Sequence, residues 1–204
     1  MTKGTPRRRV DYELIEELIE PGSRVLDLGC GDGQLLAELI EKRRTVGRGV
    51  EIDEERVLEC LNRGLAVYHG DLLEGMSFYG DRSFDTVILS QTLQQTLDPR
   101  KVLREMLRVG RRGIISFPNF GHWSVRAQLM FLGRMPRTRS LPHQWYNTPN
   151  VHLLTVKDFR EFAARENARI LREIFLGARG SPLWPVCENL RASLAIFHVE
   201  KAGG

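Results

Sequence analysis

Two periods alternate along this chain. Runs rich in β-branched and other apolar residues occupy 24–28, 46–51, 65–68, 84–89 and 113–117, and later 168–176 and 193–199. Their lengths and the turn residues between them predict seven β-strands. Between these runs apolar residues recur three and four apart, as one face of a helix requires. Leu14, Ile15, Leu18 and Ile19 form the first such stripe, Leu35, Leu36, Leu39 and Ile40 the second, and Val57, Leu58 and Leu61 the third. Val102, Leu103, Met106 and Leu107, then Phe159, Phe162 and Ala163, continue the series. Strands such as Thr86-Val87-Ile88-Leu89 are near-continuously apolar, which predicts burial on both faces. The combination points to a seven-stranded, mostly parallel sheet covered by helices on both sides, a doubly wound α/β fold. Ligands of such sheets bind outside the carboxyl ends of the strands, where the strand order reverses, so functional residues are sought just after strands.

The 204 residues suffice for one well-buried core, and 1–204 is expected to be a single domain with a flexible start over residues 1–9. Hydrophobic residues at 42% and charged residues at 27% exclude a disordered or collagen-like chain. No apolar run approaches the roughly 20 residues that span a bilayer, and the arginine-rich first eleven positions hold no apolar signal core. A cytoplasmic location is therefore expected. Cys30, Cys60 and Cys187 are odd in number and far apart, offering neither a disulfide framework nor the paired spacing of a zinc site. Reduced thiols and no metal are the expectation. The net charge of +4 is uneven: residues 1–99 sum to −7, residues 100–139 to +9 and the remainder to +2.

The first strand ends in Asp27-Leu28-Gly29-Cys30-Gly31-Asp32-Gly33, an acid and three alternate glycines in a turn that opens a helix. Glycine permits positive φ and close approach of backbone to a ligand. Free amides at the start of the following helix would favour an anionic group such as a carboxylate, and Asp27 offers the opposite charge for an ammonium. An amino-acid ligand fits both. The dinucleotide pattern requires Gly or Ala where this chain has Gln34, so NAD is disfavoured.

On these residues, Asp27-x-Gly29-x-Gly31-x-Gly33 resembles the first motif of the class I S-adenosylmethionine-dependent methyltransferases, and matches follow in order. Gly49-Val50-Glu51 ends the second strand, Gly70-Asp71-Leu72 follows the third, and Ser83-Phe84-Asp85 opens the fourth, which runs to Ser90 and Gln91. The resemblance implies a Rossmann-like fold that binds S-adenosylmethionine or S-adenosylhomocysteine. Asp27, Leu28, Gly29, Gly31, Asp32 and Gly33 would form its loop. Glu51, with Ile52 beside it, would accept the ribose hydroxyls, Asp71 the adenine amino group, and Leu72 would line the ring. Ser90 and Gln91 would lie beside the methionine moiety.

Longer matches narrow the resemblance. Ser90-Gln91-Thr92-Leu93-Gln94, Glu105-Met106-Leu107-Arg108-Val109-Gly110, the run 116–123 and the run 144–153 together resemble the MetW family of methionine-biosynthesis proteins over about residues 10–200. That family implies a methyltransferase-like protein of methionine biosynthesis, a partner or regulatory subunit of homoserine O-acetyltransferase. The alternative is an active methyltransferase for a small metabolite. No residue is assigned a catalytic role, because methyl transfer from a sulfonium asks the protein chiefly for position and dryness.

Residues 118–155 are long for a connection and are expected to form a cover or a partner-binding segment. Individually, Trp123, Leu129, Met130 and Phe131 are expected to pack a short helix ending near Gly133, and His152 to cap or order a loop; His122, His143, Trp145 and Tyr146 lie in the same stretch. The sequence after the fourth strand lacks the acid-or-Asn, Pro-Pro motif of nucleic-acid amino-methyltransferases, Pro118-Asn119-Phe120 follows the wrong strand for it, and a Pro-Cys pair is absent. Arg100, Arg104, Arg108 and Arg111 at helical spacing read as a solvated face, while Arg126, Arg134, Arg137 and Arg139 fall in the long segment. An acidic protein or anionic substrate accounts for the latter as well as RNA does, and nucleic acid is not the expected partner.

Overall fold

The computed structural model describes residues 10–184 and 186–203; the flexible start expected for residues 1–9 lies outside them. Seven strands form one sheet in the order β3-β2-β1-β4-β5-β7-β6. They are β1 (Arg24–Leu28), β2 (Val46–Glu51), β3 (Val67–His69), β4 (Phe84–Ser90), β5 (Gly110–Pro118), β6 (Ala168–Leu176) and β7 (Leu194–Lys201). All pairs are parallel except those of β7, which runs antiparallel to both β5 and β6. The chain leaves β1 towards β2 on one side and returns to β4 on the other. A crevice therefore opens above the carboxyl ends of β1 and β4.

Eight helices cover the sheet among the described residues: α1 (Val10–Glu17), α2 (Gln34–Arg43), α3 (Glu54–Asn62), α4 (Leu72–Ser77), α5 (Pro99–Val109), α6 (Trp123–Ala127), α7 (Val156–Arg165) and α8 (Glu188–Arg191). Two cores result. Val102, Leu103, Met106 and Phe159 pack with Leu26, Leu89 and Phe197 on one face. Ile15, Ile19, Leu35 and Leu39 pack with Val25, Ile88, Ile114 and Ile196 on the other. Adjacent strand residues serve opposite cores, which is why the strands lack polar alternation.

The differences from the predicted elements have local causes. The third strand begins at Val67 because Leu65 closes α3: its amide donates to the Cys60 carbonyl, and its side chain is buried beside Cys60 and Leu36. β5 starts at Gly110, three residues early, since Arg111 and Arg112 hid a strand whose register pairs Phe84 with Gly110. Leu18 and Ile19 lie beyond α1 in the turn that closes it, yet Ile19 is still buried. The helices α4, α6 and α8 are four to six residues long, too short to show a period in sequence.

Caps account for where the longer helices begin. Asp53 accepts from the Arg56 amide, Asp98 from Lys101 with Pro99 at the first position, and Thr155 forms a reciprocal capping box with Asp158. The basic run is compensated by the fold. Arg100 and Arg104 both pair with Glu166, Arg108 with Glu105 and Asp81, and Arg111, which lies in β5 rather than on the helix face predicted for it, with Asp85.

Asp85 joins three strands at their amino ends. Its carboxylate accepts the Arg24 amide at 2.9 Å and pairs with the Arg24 and Arg111 guanidinium groups. The Arg24 amide above all, then the Arg24 side chain, holds its carboxyl below the usual range. A carboxyl lowered in the folded state stabilises fully above its unfolded pKa of about 3.9, and the contribution disappears as pH falls through the lower native value. Asp85→Asn is expected to lower the unfolding midpoint in urea at pH 7 and to lose this effect towards pH 3. An equal loss at both pH values would assign the effect to packing instead of charge.

Candidate functional site

The carboxyl ends of β1, β2 and β4 and the turn after β3 surround one cavity of about 700 Å³, a size typical of small-molecule sites. Asp27 from β1 and Glu51 from β2 are both buried in its wall, and Asp71 stands where β3 turns into α4. Gly29, Gly31, Ile52, Leu72, Ser90 and Gln91 also line it. Of the residues predicted from sequence, Leu28, Asp32 and Gly33 stand outside the wall. Leu28 is buried in the core beneath it. Asp32 accepts the Gln34 amide and pairs with Arg63 at 3.0 Å, fastening the start of α2 to the end of α3.

The glycine turn is built by two constraints. Gly33 holds the left-handed φ of +75° at the start of α2, and a Cβ there would stand 2.3 Å from Leu65 Cδ1 and 2.9 Å from Cys60 Sγ. Gly31, at φ +59°, would place a Cβ within 4 Å of no protein atom: its backbone faces the cavity. Between them the fold brings Cys30 and Cys60 together, sulfurs 3.8 Å apart, with the Cys60 thiol donating to the Gly31 carbonyl at 3.2 Å. Burial first, then the charge of Asp27, pushes the Cys30 thiol far up, and burial likewise raises Cys60. They remain protonated thiols and pack as small apolar groups.

The amides of this turn are less available to an anion than its sequence suggests. The Gly31 N–H donates to Glu51 Oε2 at 2.7 Å, the Gly33 N–H to the Cys30 carbonyl and the Gln34 N–H to Asp32. Glu51 Oε1 accepts from the Ile52 and Asp53 amides at 2.9 and 3.0 Å. A carboxylate offers about four lone-pair directions, so Glu51 retains room for one further donor before an amide must be released. Asp71 caps α4, accepting the Leu73 amide at 2.8 Å.

After β4, Gln91 adopts φ +55°, a strained conformation for a residue with a side chain. It is over-determined: its amide donates to the Ser116 carbonyl, its side chain to Asp11 at 3.0 Å, and its carbonyl accepts from both Gln94 and Gln95. Through Asp11 this network reaches α1, whose Tyr12 also lines the cavity. Tyr12, Thr92, Gln94 and Arg56 were not among the predicted residues. Thr92 and Gln94 stand in the run 90–94 after β4, which was the available sign for them, whereas the burial of Asp11 and Tyr12 is visible only in the fold.

Residues 118–155 contribute Ser140, Pro142, His143, Pro149 and Asn150 to the wall of the cavity. Both roots of the segment are tied down. Asn119, buried, donates to the Asn189 and Ala192 carbonyls and accepts from the Gly121 and Val156 amides. The Val151 and His152 amides donate to the Gln94 carbonyl, so His152 orders this loop through its backbone. His122 caps α6, its ring nitrogen accepting the Ser124 amide, and burial lowers its pKa. The helix ends at Gly133 in the left-handed conformation, but Trp123, Met130 and Phe131, expected to pack it, are exposed, and Leu129 is partly so.

The family model for the methionine biosynthesis protein MetW matches residues 9–199. The bifunctional methionine biosynthesis protein MetXA/MetW of Rhodopirellula baltica is 41% identical over 94% of this chain and 33% of its own length. A ubiquinone biosynthesis O-methyltransferase of Hahella chejuensis is 32% identical over 52% of this chain and 45% of its own. The chain thus spans a third to a half of the length of these relatives. Among solved structures, an S-adenosylmethionine-dependent methyltransferase from Mesorhizobium loti superposes with a TM-score of 0.67 at 16% identity, covering 95% of this chain and 98% of the other. The [4+2]-cyclase SpnF superposes equally well, TM-score 0.67 at 17% identity, over 95% and 81%. The fold is that of the class I methyltransferases.

Two glycine variants separate the roles of the turn. Gly33→Ala is expected to destabilise by about 2–5 kcal/mol, adding overpacking to left-handed strain, whereas Gly31→Ala, which meets no neighbour, should cost only about 1–2 kcal/mol. Equilibrium denaturation of both variants checks this. Equal losses would show that Leu65 and Cys60 yield freely at Gly33.

Proposed function

This chain belongs to the MetW family, and from that premise we propose that it is an S-adenosylmethionine-binding protein of methionine biosynthesis that acts as partner or regulatory subunit of homoserine O-acetyltransferase. The observation that carries the ligand is the donor-accepting wall of the cavity: three carboxylates, Asp27, Glu51 and Asp71, line one chamber of about 700 Å³ whose floor is the open backbone of Gly31. S-adenosylmethionine carries an ammonium, two ribose hydroxyls and an adenine amino group, all donors, and such a set of acceptors suits them. In this reading Asp27 takes the ammonium, Glu51 the ribose and Asp71 the adenine, with Leu72 and Ile52 against the ring and Ser90 and Gln91 beside the methionine chain. Glu51 takes the second ribose hydroxyl by releasing the Gly31 amide, so ligand binding and the shape of the glycine turn change together.

The partner reading is supported by the Rhodopirellula relative, whose name joins MetXA to MetW in a single chain. Because the ligand is made from methionine, its occupancy can report the output of the pathway to an early enzyme. Such regulation requires different ligand affinities in the free and paired states. The second reading, methyl transfer to a small metabolite, draws on a different observation: His143, Asn150 and Ser140 add polar side chains to the chamber wall that an acceptor could meet.

Glu51→Ala is expected to raise the dissociation constant for S-adenosylhomocysteine about tenfold or more, since charge-assisted hydrogen bonds contribute about 1.5–3 kcal/mol each. Titration calorimetry reads this directly, and a constant within twofold of the parent would remove Glu51 from the ribose site. For the pairing, purified homoserine O-acetyltransferase is titrated with this chain, with and without S-adenosylmethionine. A complex and a changed acylation rate are expected; the absence of both would overturn the regulatory role. Transfer of labelled methyl into a metabolite by the chain alone would instead favour the second reading.

A further inference from the structure

We infer that the exposed end of α6 and the π-turn that follows it form the docking face for the acyltransferase, receiving an apolar patch rimmed by carboxylates on that protein; the inference rests on the pairing proposed above. The first argument is exposure. Met130, Phe131 and Leu132 are consecutive and 75%, 78% and 65% exposed, with Trp123 at 58% one helix length before them. The helices α1, α2, α5 and α7 each send apolar side chains into one of the two cores, whereas in α6 and the turn after it Val125 alone is buried and it joins neither. Three adjacent large apolar residues left in water are unfavourable unless another surface covers them. Here they are held out by a five-residue π-helical turn, Gln128–Leu132, a geometry that recurs at functional sites.

Composition favours protein over nucleic acid. Residues 118–155 contain tryptophan, tyrosine, phenylalanine, methionine and four arginines but no lysine, aspartate or glutamate. Aromatic residues, methionine and arginine are the types enriched in protein interfaces, and lysine and the acids are those depleted there. The aliphatic Met130 and Leu132 offer no stacking plane to a base.

Charge completes the description of the partner. The arginines of α5 and β5 are paired with carboxylates, as described, whereas Arg134, Arg137 and Arg139 are exposed and, among the described residues, have no carboxylate within ion-pair distance. Arg137 is folded onto the π-turn, its backbone exchanging hydrogen bonds with the Gln128 side chain. The apolar ridge thus has an uncompensated positive margin, which calls for an acidic rim opposite. A fused chain such as the Rhodopirellula relative holds its two parts at high effective concentration, a setting in which a face of moderate affinity suffices. The same segment supplies Ser140, His143 and Asn150 to the chamber, so partner and ligand act on one stretch of backbone.

The test measures binding of purified homoserine O-acetyltransferase by sedimentation velocity for the parent chain, for Met130→Asp with Phe131→Asp, and for Arg134→Glu with Arg137→Glu. Circular dichroism melts establish that each variant is folded; all four positions are exposed, and the two pairs are independent of each other. The expected result is a complex with the parent that weakens as salt rises and that loses about tenfold or more in affinity in each variant. A complex of undiminished affinity in both variants would overturn the docking face and leave the pairing intact. No complex with the parent would overturn the pairing and this face with it. Retention of a single-stranded RNA oligonucleotide by the parent, lost in the variants, in place of an acyltransferase complex would identify a nucleic-acid surface and overturn the inference.

Discussion

One buried carboxylate, that of Glu51, holds the upper edge of the sheet together. It accepts the Gly31 amide from the turn after β1 and the Ile52 and Asp53 amides from the turn after β2. A buried charge without such donors would be costly, and with them it fixes the two turns relative to each other. The position of Gly31 sets where its backbone faces the chamber, and the next turn of chain places Gly33 against Leu65 and Cys60, from which α2 departs. Neighbouring contacts reinforce the arrangement: Asp32 pairs with Arg63, and Cys60 donates to the Gly31 carbonyl. The two turns, the helices α2 and α3 and the chamber wall thus share one electrostatic anchor.

The opposite wall depends on a second network centred on Gln91. Its left-handed backbone is kept in place by bonds to Ser116, Asp11, Gln94 and Gln95. Gln94 in turn accepts the Val151 and His152 amides and so ties the long segment to the end of β4. Strain of this kind persists only where surrounding bonds over-determine it. Hydrogen bonds therefore run without a break from α1, through Asp11 and Gln91, to Gln94 and residues 118–155. The fold alone does not assign a chemistry. A methyltransferase and a cyclase superpose on this chain equally well.

Much of the architecture was legible in the residues themselves. Short β-rich apolar runs alternating with apolar stripes of helical period located all seven strands and five of the helices to within a few residues. The order of motifs after successive strands placed the chamber, because a parallel sheet with reversed winding leaves a single crevice at those ends. Nine of the twelve residues predicted from sequence line it. Leu28 does not because it points from β1 into the core beneath, and Asp32 and Gly33 do not because they pack towards α3, the one paired with Arg63 and the other against Leu65 and Cys60, which a motif read as a string does not register. What only the tertiary structure decided were relations between distant residues: the contact of Cys30 with Cys60, the pairing of the α5 arginines with Glu166 and Asp81, and Tyr12 and His143 at one chamber. It also decided the fate of the apolar run at Met130 and Phe131. Hydrophobicity predicts that such residues seek cover, but whether this chain or another supplies it depends on where the rest of the core has already closed.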